Sequence, residues 1–208
     1  LAHFLTEKKS TSQLVSVAQQ IEQRETLAIQ YTIELRTMLK DMPVRDEIRD
    51  FLFKFWAEVL ALSAVRDGPQ HADTIVLKRT AADLVWAASA KPSRTDRSQV
   101  IQELPALLQR LRQGLALVGV NGAAQDAQIK ILTDTLAEAF LSKTASIPHE
   151  HIEAMAKRLE NLEDFIDDEV MGDFPLDSDS IEMMLGIDAS SIHVIADNDA
   201  PIDESMLQ

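Results

Sequence analysis

Apolar residues recur at helical spacing along most of the chain, and the densest run lies between Asp46 and Gly68, DEIRDFLFKFWAEVLALSAVRDG. Ile48, Leu52, Phe55, Val59 and Leu62 follow alternating steps of four and three, which place them on one helical face. Phe51, Phe53, Trp56, Leu60 and Val65 widen that stripe onto neighbouring faces. A helix this apolar is either buried in a bundle or spans a membrane. Lys54 and Glu58 sit in its middle, and the uncharged runs fall well short of the roughly 20 residues a bilayer needs. A buried central helix is therefore expected, and no membrane span. Asp46 near its start and Arg66 near its end both suit the helix dipole, and Gly68-Pro69 stops it.

The rest of the chain reads the same way. Residues 1–10 carry no periodic pattern and are expected as a frayed start. Residues 12–40 form a long helical pattern in which Leu14, Val17, Ile21, Ala28, Tyr31, Leu35 and Met38 keep heptad steps and Arg24 takes one seam position. Such a repeat packs along a single neighbour, and the Arg in the seam argues against an extended dimer zipper. Asp41-Met42-Pro43 ends this helix. A third helix is expected over about 70–89, its apolar side including Ile75, Leu77, Leu84, Val85 and Trp86. Lys91-Pro92-Ser93 breaks the chain. A fourth helical region runs from about Asp96 to Val118, with Ile101, Leu104, Leu108, Leu111, Leu115 and Val118 on its face. Pro105 predicts a kink there, or a fresh start at Leu104 or Pro105. After the turn at Gly119–Gly122, a fifth helix is expected over about 123–143, with Ile129, Leu132, Leu136 and Phe140 inward. A sixth spans about 148–170, with Ile152, Met155, Leu159, Leu162 and Ile166 in a narrow stripe. That stripe suits an outer position in the bundle, or a partner helix. From Gly172 the periodicity is lost, apart from a turn or two at Ser180–Leu185. The pattern predicts an all-α bundle of five or six helices over residues 11–170, followed by a disordered or loosely docked acidic linker or tail over 171–208.

Charge sharpens that division. The net charge is −14. Residues 145–208 hold 17 acids and two bases, while residues 1–144 hold 17 acids and 18 bases. The body is balanced and the C-terminal portion carries the whole excess. No dense basic patch is present, so nucleic acid is not an expected partner. The acidic tail predicts a protein partner, or another domain of the same chain, with a basic surface. A homodimer through the heptad stripes of 14–38 or 152–166 is a further expectation. The chain has no cysteine, which excludes disulfides and thiolate chemistry and fits a reducing, cytoplasmic location. It begins at Leu1 with no signal-peptide pattern and is expected to be a piece of a longer protein.

The candidate chemistry is thin. His149-Glu150-His151 is the most conspicuous cluster, but metal-binding histidines on a helix want i, i+4 spacing, and an i, i+2 pair does not share a face. His3, His71 and His193 stand alone in sequence. Asp177, Asp179 and Glu182 fail the calcium-loop pattern, which needs Gly at its sixth position and Glu at its twelfth; counting from Asp177, these hold Glu182 and Asp188. Arg94 and Arg97 have a spacing that holds a phosphate, and equally mark the polar start of a helix. Trp56 and Trp86, both in helical apolar runs, read as buried anchors. No phosphate loop, dinucleotide fingerprint or nucleophile elbow is present. No catalytic, cofactor-binding or metal residue is therefore assigned, and no cofactor is expected.

Three segments carry a family resemblance: IRDFLFKFWAEVLALSAVRDG (48–68), ADLVWAASAKPSRTDRSQVIQELPALLQRLRQGLALVG (82–119) and the following helix to Leu141. Over roughly residues 25–143 the chain resembles a large proteobacterial family catalogued as domain of unknown function 1631, members of which are sometimes labelled thymidine phosphorylase. The resemblance rests on the apolar Trp helix, the Trp86-x4-Lys91-Pro92 break and the Leu-Pro-x-Leu-Leu-x-x-Leu-Arg-x-Gly-Leu run at 104–115. It implies a longer bacterial parent with a small β-rich module downstream, similar to domains that sense cyclic dinucleotides in signalling. The phosphorylase label implies a phosphate site and a sugar–base cleft, and no motif here suggests either. Three functions follow as expectations: a non-catalytic interaction or regulatory module; a small-ligand-sensing domain lined by Trp56, Trp86, Phe51 and Phe55; and, through the family label alone, a nucleoside-processing enzyme.

Overall fold

Helix α1 spans Ala2–Leu39. It takes in residues 2–10, where no helix is expected from periodicity. No Gly or Pro interrupts the chain before Pro43, and Ala, Leu, Glu and Lys in that segment favour helix without needing an apolar stripe. Helix α2, Asp46–Phe51, continues without a break through a π-helical turn, Leu52–Trp56, into α3, Ala57–Asp67. Then come α4 (Ala72–Ala87), α5 (Arg94–Leu117), α6 (Gly122–Leu141) and α7 (His149–Glu160), and a short 3-10 turn over Leu162–Phe165. This computed structural model describes residues 2–91, 93–142 and 146–165, with side-chain burial given from Thr11. The fold of the described residues is all-α, without strands, and none of their helices is long and apolar enough to cross a membrane. The acidic segment 171–208, its Ser180–Leu185 stretch and Ile166 lie outside the described residues.

The long helix Asp46–Asp67 is the hub. α1, α4 and α5 pack on its α3 half, and α6 meets its α2 half. Its buried positions are Ile48, Phe51, Leu52, Trp56, Ala57, Val59, Leu60, Ala61, Ser63 and Ala64. Phe55 and Leu62, expected on the buried face, are only half-buried. The π turn is the cause. It inserts one residue into the helix, so after Leu52 the inward positions fall one place later than a heptad predicts. Gly68 then takes φ 111°, a region that favours Gly, and reverses the chain into α4. His71 caps α4, its Nδ1 accepting the Asp73 N–H at 3.2 Å.

Helix α5 runs unbroken through Pro105, where a kink or a restart is one sequence expectation. Proline deprives the carbonyl four residues earlier of its partner. Here that residue is Ile101, 59 % exposed, on the solvent side of the helix rather than in the core. The inward face of α5 is Val100, Leu107, Leu111, Gly114 and Leu115. Leu111 and Leu115 match the expected stripe, and Ile101 does not. In α6, Ile129, Leu132 and Leu136 are buried as expected, with Phe140 half-buried. In α7, Ile152, Met155 and Leu159 are buried, and Leu162 follows in the 3-10 turn. They pack on α4, so this stripe is spent inside the molecule. The expected helix over 148–170 ends at Glu160; Asn161 turns the chain, its Nδ2 donating to the Lys157 carbonyl at 3.1 Å.

Candidate functional site

Trp56 is the buried anchor expected of it, whereas Trp86 is only half-buried and lines a cleft. Trp56 is fully buried, its Nε1–H donates to the Leu77 carbonyl at 2.9 Å, and Phe51 stacks on it at 5.8 Å between ring centres. Trp86 meets the His149 ring edge-on at 5.2 Å and carries the Lys91 Nζ 4.0 Å above its ring centre. Lys91 also donates to the Trp86 carbonyl and to Ser89 O and Oγ, closing the C-terminal end of α4. Burial pushes this ammonium down to about 8, against a smaller opposing pull from Asp96.

Two polar groupings lie near these rings. A cleft of about 490 Å³ between α4, α5 and α7 is lined by Arg79, Asp83, Trp86, Arg110, His149 and Glu153, among others. Its charges answer one another. Arg79 bonds Glu153 at 2.9 Å and Arg110 bonds Asp83 at 3.2 Å. Burial raises the Asp83 carboxyl, with both arginines opposing. The second grouping is buried. Lys78 is fully enclosed and donates to Pro69 O at 2.9 Å, Glu160 O at 3.3 Å and Glu163 Oε1 at 2.7 Å. The Tyr31 hydroxyl donates to the same Oε1 at 2.6 Å. Burial first, then the Glu163 charge, lifts the phenol well above its usual range. This cluster ties α1 and α4 to the 3-10 turn.

The histidines of the 149–151 run do not converge. Both are exposed; His149 faces Trp86 and lies 3.8 Å from Glu153. Arg94 and Arg97, at the start of α5, are also exposed. His71, isolated in sequence, is instead brought near two carboxylates: ligand atoms of Asp67, His71 and Asp73 lie within 4.8 Å of one another. The spacing Asp-x3-His-x-Asp across a Gly-Pro turn is the signal that would have found this group. In the structure Arg66 holds Asp67 at 3.1 Å and His71 serves as the α4 cap, so both are engaged in local structure.

Among the described residues, α1 also carries an exposed apolar row. The heptad stripe of α1 splits in two. In its C-terminal half Tyr31 and Leu35 are buried as expected, with Leu27 and Leu39 buried beside them while the expected Ala28 and Met38 are only half-buried. Its N-terminal half points to solvent, with Leu14 at 68 %, Val15 and Val17 at 53 % and Ile21 at 50 % exposure. Every residue from Thr11 to Gln23 is exposed. No charged residue occurs from Ser10 to Ile21. Scattered exposed apolar residues need no explanation, but a contiguous row on one helix marks an interaction surface.

No curated protein and no solved structure matches the chain. The family described as protein of unknown function (DUF1631), third domain, matches over residues 17–133, from the exposed half of α1 to the middle of α6. That match covers more than half of the sequence and includes the first two segments that carry the resemblance and part of the third, so the chain belongs to this family.

Proposed function

We propose that this chain is a non-catalytic interaction module of a longer bacterial protein, and that the N-terminal half of α1 is its docking face. One observation carries the reading: four large apolar side chains stand in a row on an exposed helix segment without a single charge. Water solvates such a row poorly, and covering it contributes roughly 25 cal/mol per Å² of apolar surface. The core makes no claim on these residues, since the helical bundle closes around the other half of α1. The polar groupings elsewhere support the same reading. The arginines of the α4–α5–α7 cleft are held by its own carboxylates, and Lys78 and Lys91 are occupied by local oxygens.

The test uses the full-length protein in cells, with a photoreactive amino acid replacing Val17 in one strain and Thr37, an exposed polar position on the buried half of α1, in another. Irradiation is expected to give a discrete adduct from position 17 and none from position 37. Absence of any adduct at position 17, with the protein folded and expressed, overturns the proposal.

A further inference from the structure

We infer that the cleft between α4, α5 and α7 binds a small organic amine, its ammonium against Glu103 and its apolar body against Trp86. This goes beyond the docking face of α1 and does not depend on it. At about 490 Å³ the cleft has the size of a small-molecule site. Its lining charges do not cancel. Asp83, Glu103 and Glu153 meet Arg79 and Arg110, three carboxylates to two guanidiniums. Arg79 is taken by Glu153 at 2.9 Å and also reaches Asp83 at 3.7 Å. Arg110 is taken by Asp83 at 3.2 Å. Glu103 is left over: among the described residues its carboxylate receives one hydrogen bond, from the Gln99 amide at 3.2 Å. With His149 neutral, the lining thus carries one uncompensated negative charge. That charge also lies near enough to Asp83 to help raise its carboxyl, after burial as the larger cause. A bound cation relieves both carboxylates, whereas an anion finds each arginine already engaged.

The remaining lining supplies what the body of such a ligand needs. Trp86 is only half-buried, and Ile152 and Ala106 extend its apolar wall. A flat, partly open indole attracts both apolar rings and cations. Lys91 does not fill this role from within the chain. It does not line the cleft, and its ammonium is held by Trp86 O and by Ser89, with Asp96 as its nearby acid. A lysine of a partner protein brings the same ammonium on a slim stem. The cleft has room for a wider body, which selects a free amine carrying a ring.

The two tryptophans give two indole N–H signals in the nuclear magnetic resonance spectrum of the nitrogen-labelled whole chain, and Trp86→Phe identifies which is which. At pH 7.5, phenethylammonium is expected to shift the Trp86 signal saturably and leave that of Trp56 in place. Phenethyl alcohol, which keeps the ring and loses the charge, should bind at least about tenfold more weakly, and 3-phenylpropionate should not bind. Glu103→Gln should weaken the amine at least about fivefold with helix content by circular dichroism unchanged. Glu150→Gln, exposed on α7 and outside the cleft, should leave it as it was. No saturable shift of the Trp86 signal overturns the site. Equal binding of the alcohol and the amine, or a Glu103→Gln chain that binds as well as the parent, overturns the ammonium position. Tighter binding of Nα-acetyl-lysinamide than of phenethylammonium overturns the free amine in favour of a partner's lysine.

Discussion

Trp56 sets how closely α5 approaches the central helix. A Cβ on Gly114 would lie 2.4 Å and 2.6 Å from Cη2 and Cζ3 of its ring, and 3.2 Å from Val59 Cγ1. The ring is held by its bond to Leu77 O and by Phe51, so it has nowhere to retreat. Gly114→Ala gains about 1 kcal/mol of helix propensity but overpacks a filled core at about 1–3 kcal/mol. A net loss of up to about 2 kcal/mol is expected, read as a lower urea midpoint with an unchanged slope. Two titrating residues predict the alkaline behaviour. The folded Lys91 ammonium releases its proton near 8, whereas the unfolded one holds it to about 10.4. Between those values the unfolded chain binds more protons, so stability rises with pH. Tyr31 acts in the opposite sense: its phenol is raised in the fold and ionises near 10 when unfolded, so its contribution falls as pH climbs past 10. Urea midpoints from pH 7.5 to 11 should rise and then fall. Lys91→Met should flatten the rise, and Tyr31→Phe the fall.

At the scale of elements, the π turn decides which side chains of the hub face inward. Four-residue steps drift by about 40° around an α-helix, and the wider turn takes back much of that drift. Ile48, Leu52, Trp56, Leu60 and Ala64 therefore stay on the inner side. A π turn amounts to one inserted residue, so removing one residue within it should restore an ordinary helix with the same inward set. Deleting Lys54, which is exposed, is expected to leave a cooperative fold close to the parent in melting temperature. Deleting the equally exposed Glu58 instead turns everything after it by about 100° and should abolish cooperative unfolding; equal damage from the two would refute this account. The same turn explains how far the sequence reaches. The number of helices and the breaks between them were legible, because apolar spacing and the Pro and Gly positions fix them locally, whereas the start of α1 at Ala2 and the end of α7 at Glu160 were not. Phe55 and Leu62 were misplaced because a π turn has no signature in apolar spacing. Ile101 was misplaced because α5 turns it outward and buries Val100 instead, which spacing could not decide. The split of the α1 stripe was hidden for another reason: Leu14 and Leu35 look alike in sequence, and only the position of the bundle tells them apart.

For the whole molecule, the decisive contact is the one that fastens the end of the helical body to its beginning. Lys78 is buried on α4 with two carbonyls and one carboxylate as partners, and that carboxylate, Glu163, also receives Tyr31 from α1. Gln70, in the turn before α4, reaches the same place, its Nε2 donating to Glu160 O at 3.0 Å and to Glu163 Oε2 at 3.3 Å. Three distant parts of the chain therefore converge on Glu163. None of this was readable beforehand, since Lys78 interrupts an apolar run in sequence much as any solvated lysine would. The favourable side of a buried pair is offset by the cost of drying both charges, but removing one partner leaves the other uncompensated, at about 3–5 kcal/mol. A chain ending at residue 167 keeps the clasp. In that chain Glu163→Leu leaves the Lys78 ammonium with carbonyl partners alone and takes the acceptor from the Tyr31 hydroxyl, and should lower stability by several kcal/mol. The cause is separable from simple loss of packing. In the Glu163→Leu chain Lys78→Met removes the uncompensated charge and should recover part of the loss, whereas in the unsubstituted 167-residue chain the same substitution should destabilise by leaving Glu163 without its cation. If Lys78→Met acts in the same direction in both chains, the ionic clasp is not what holds the two ends together.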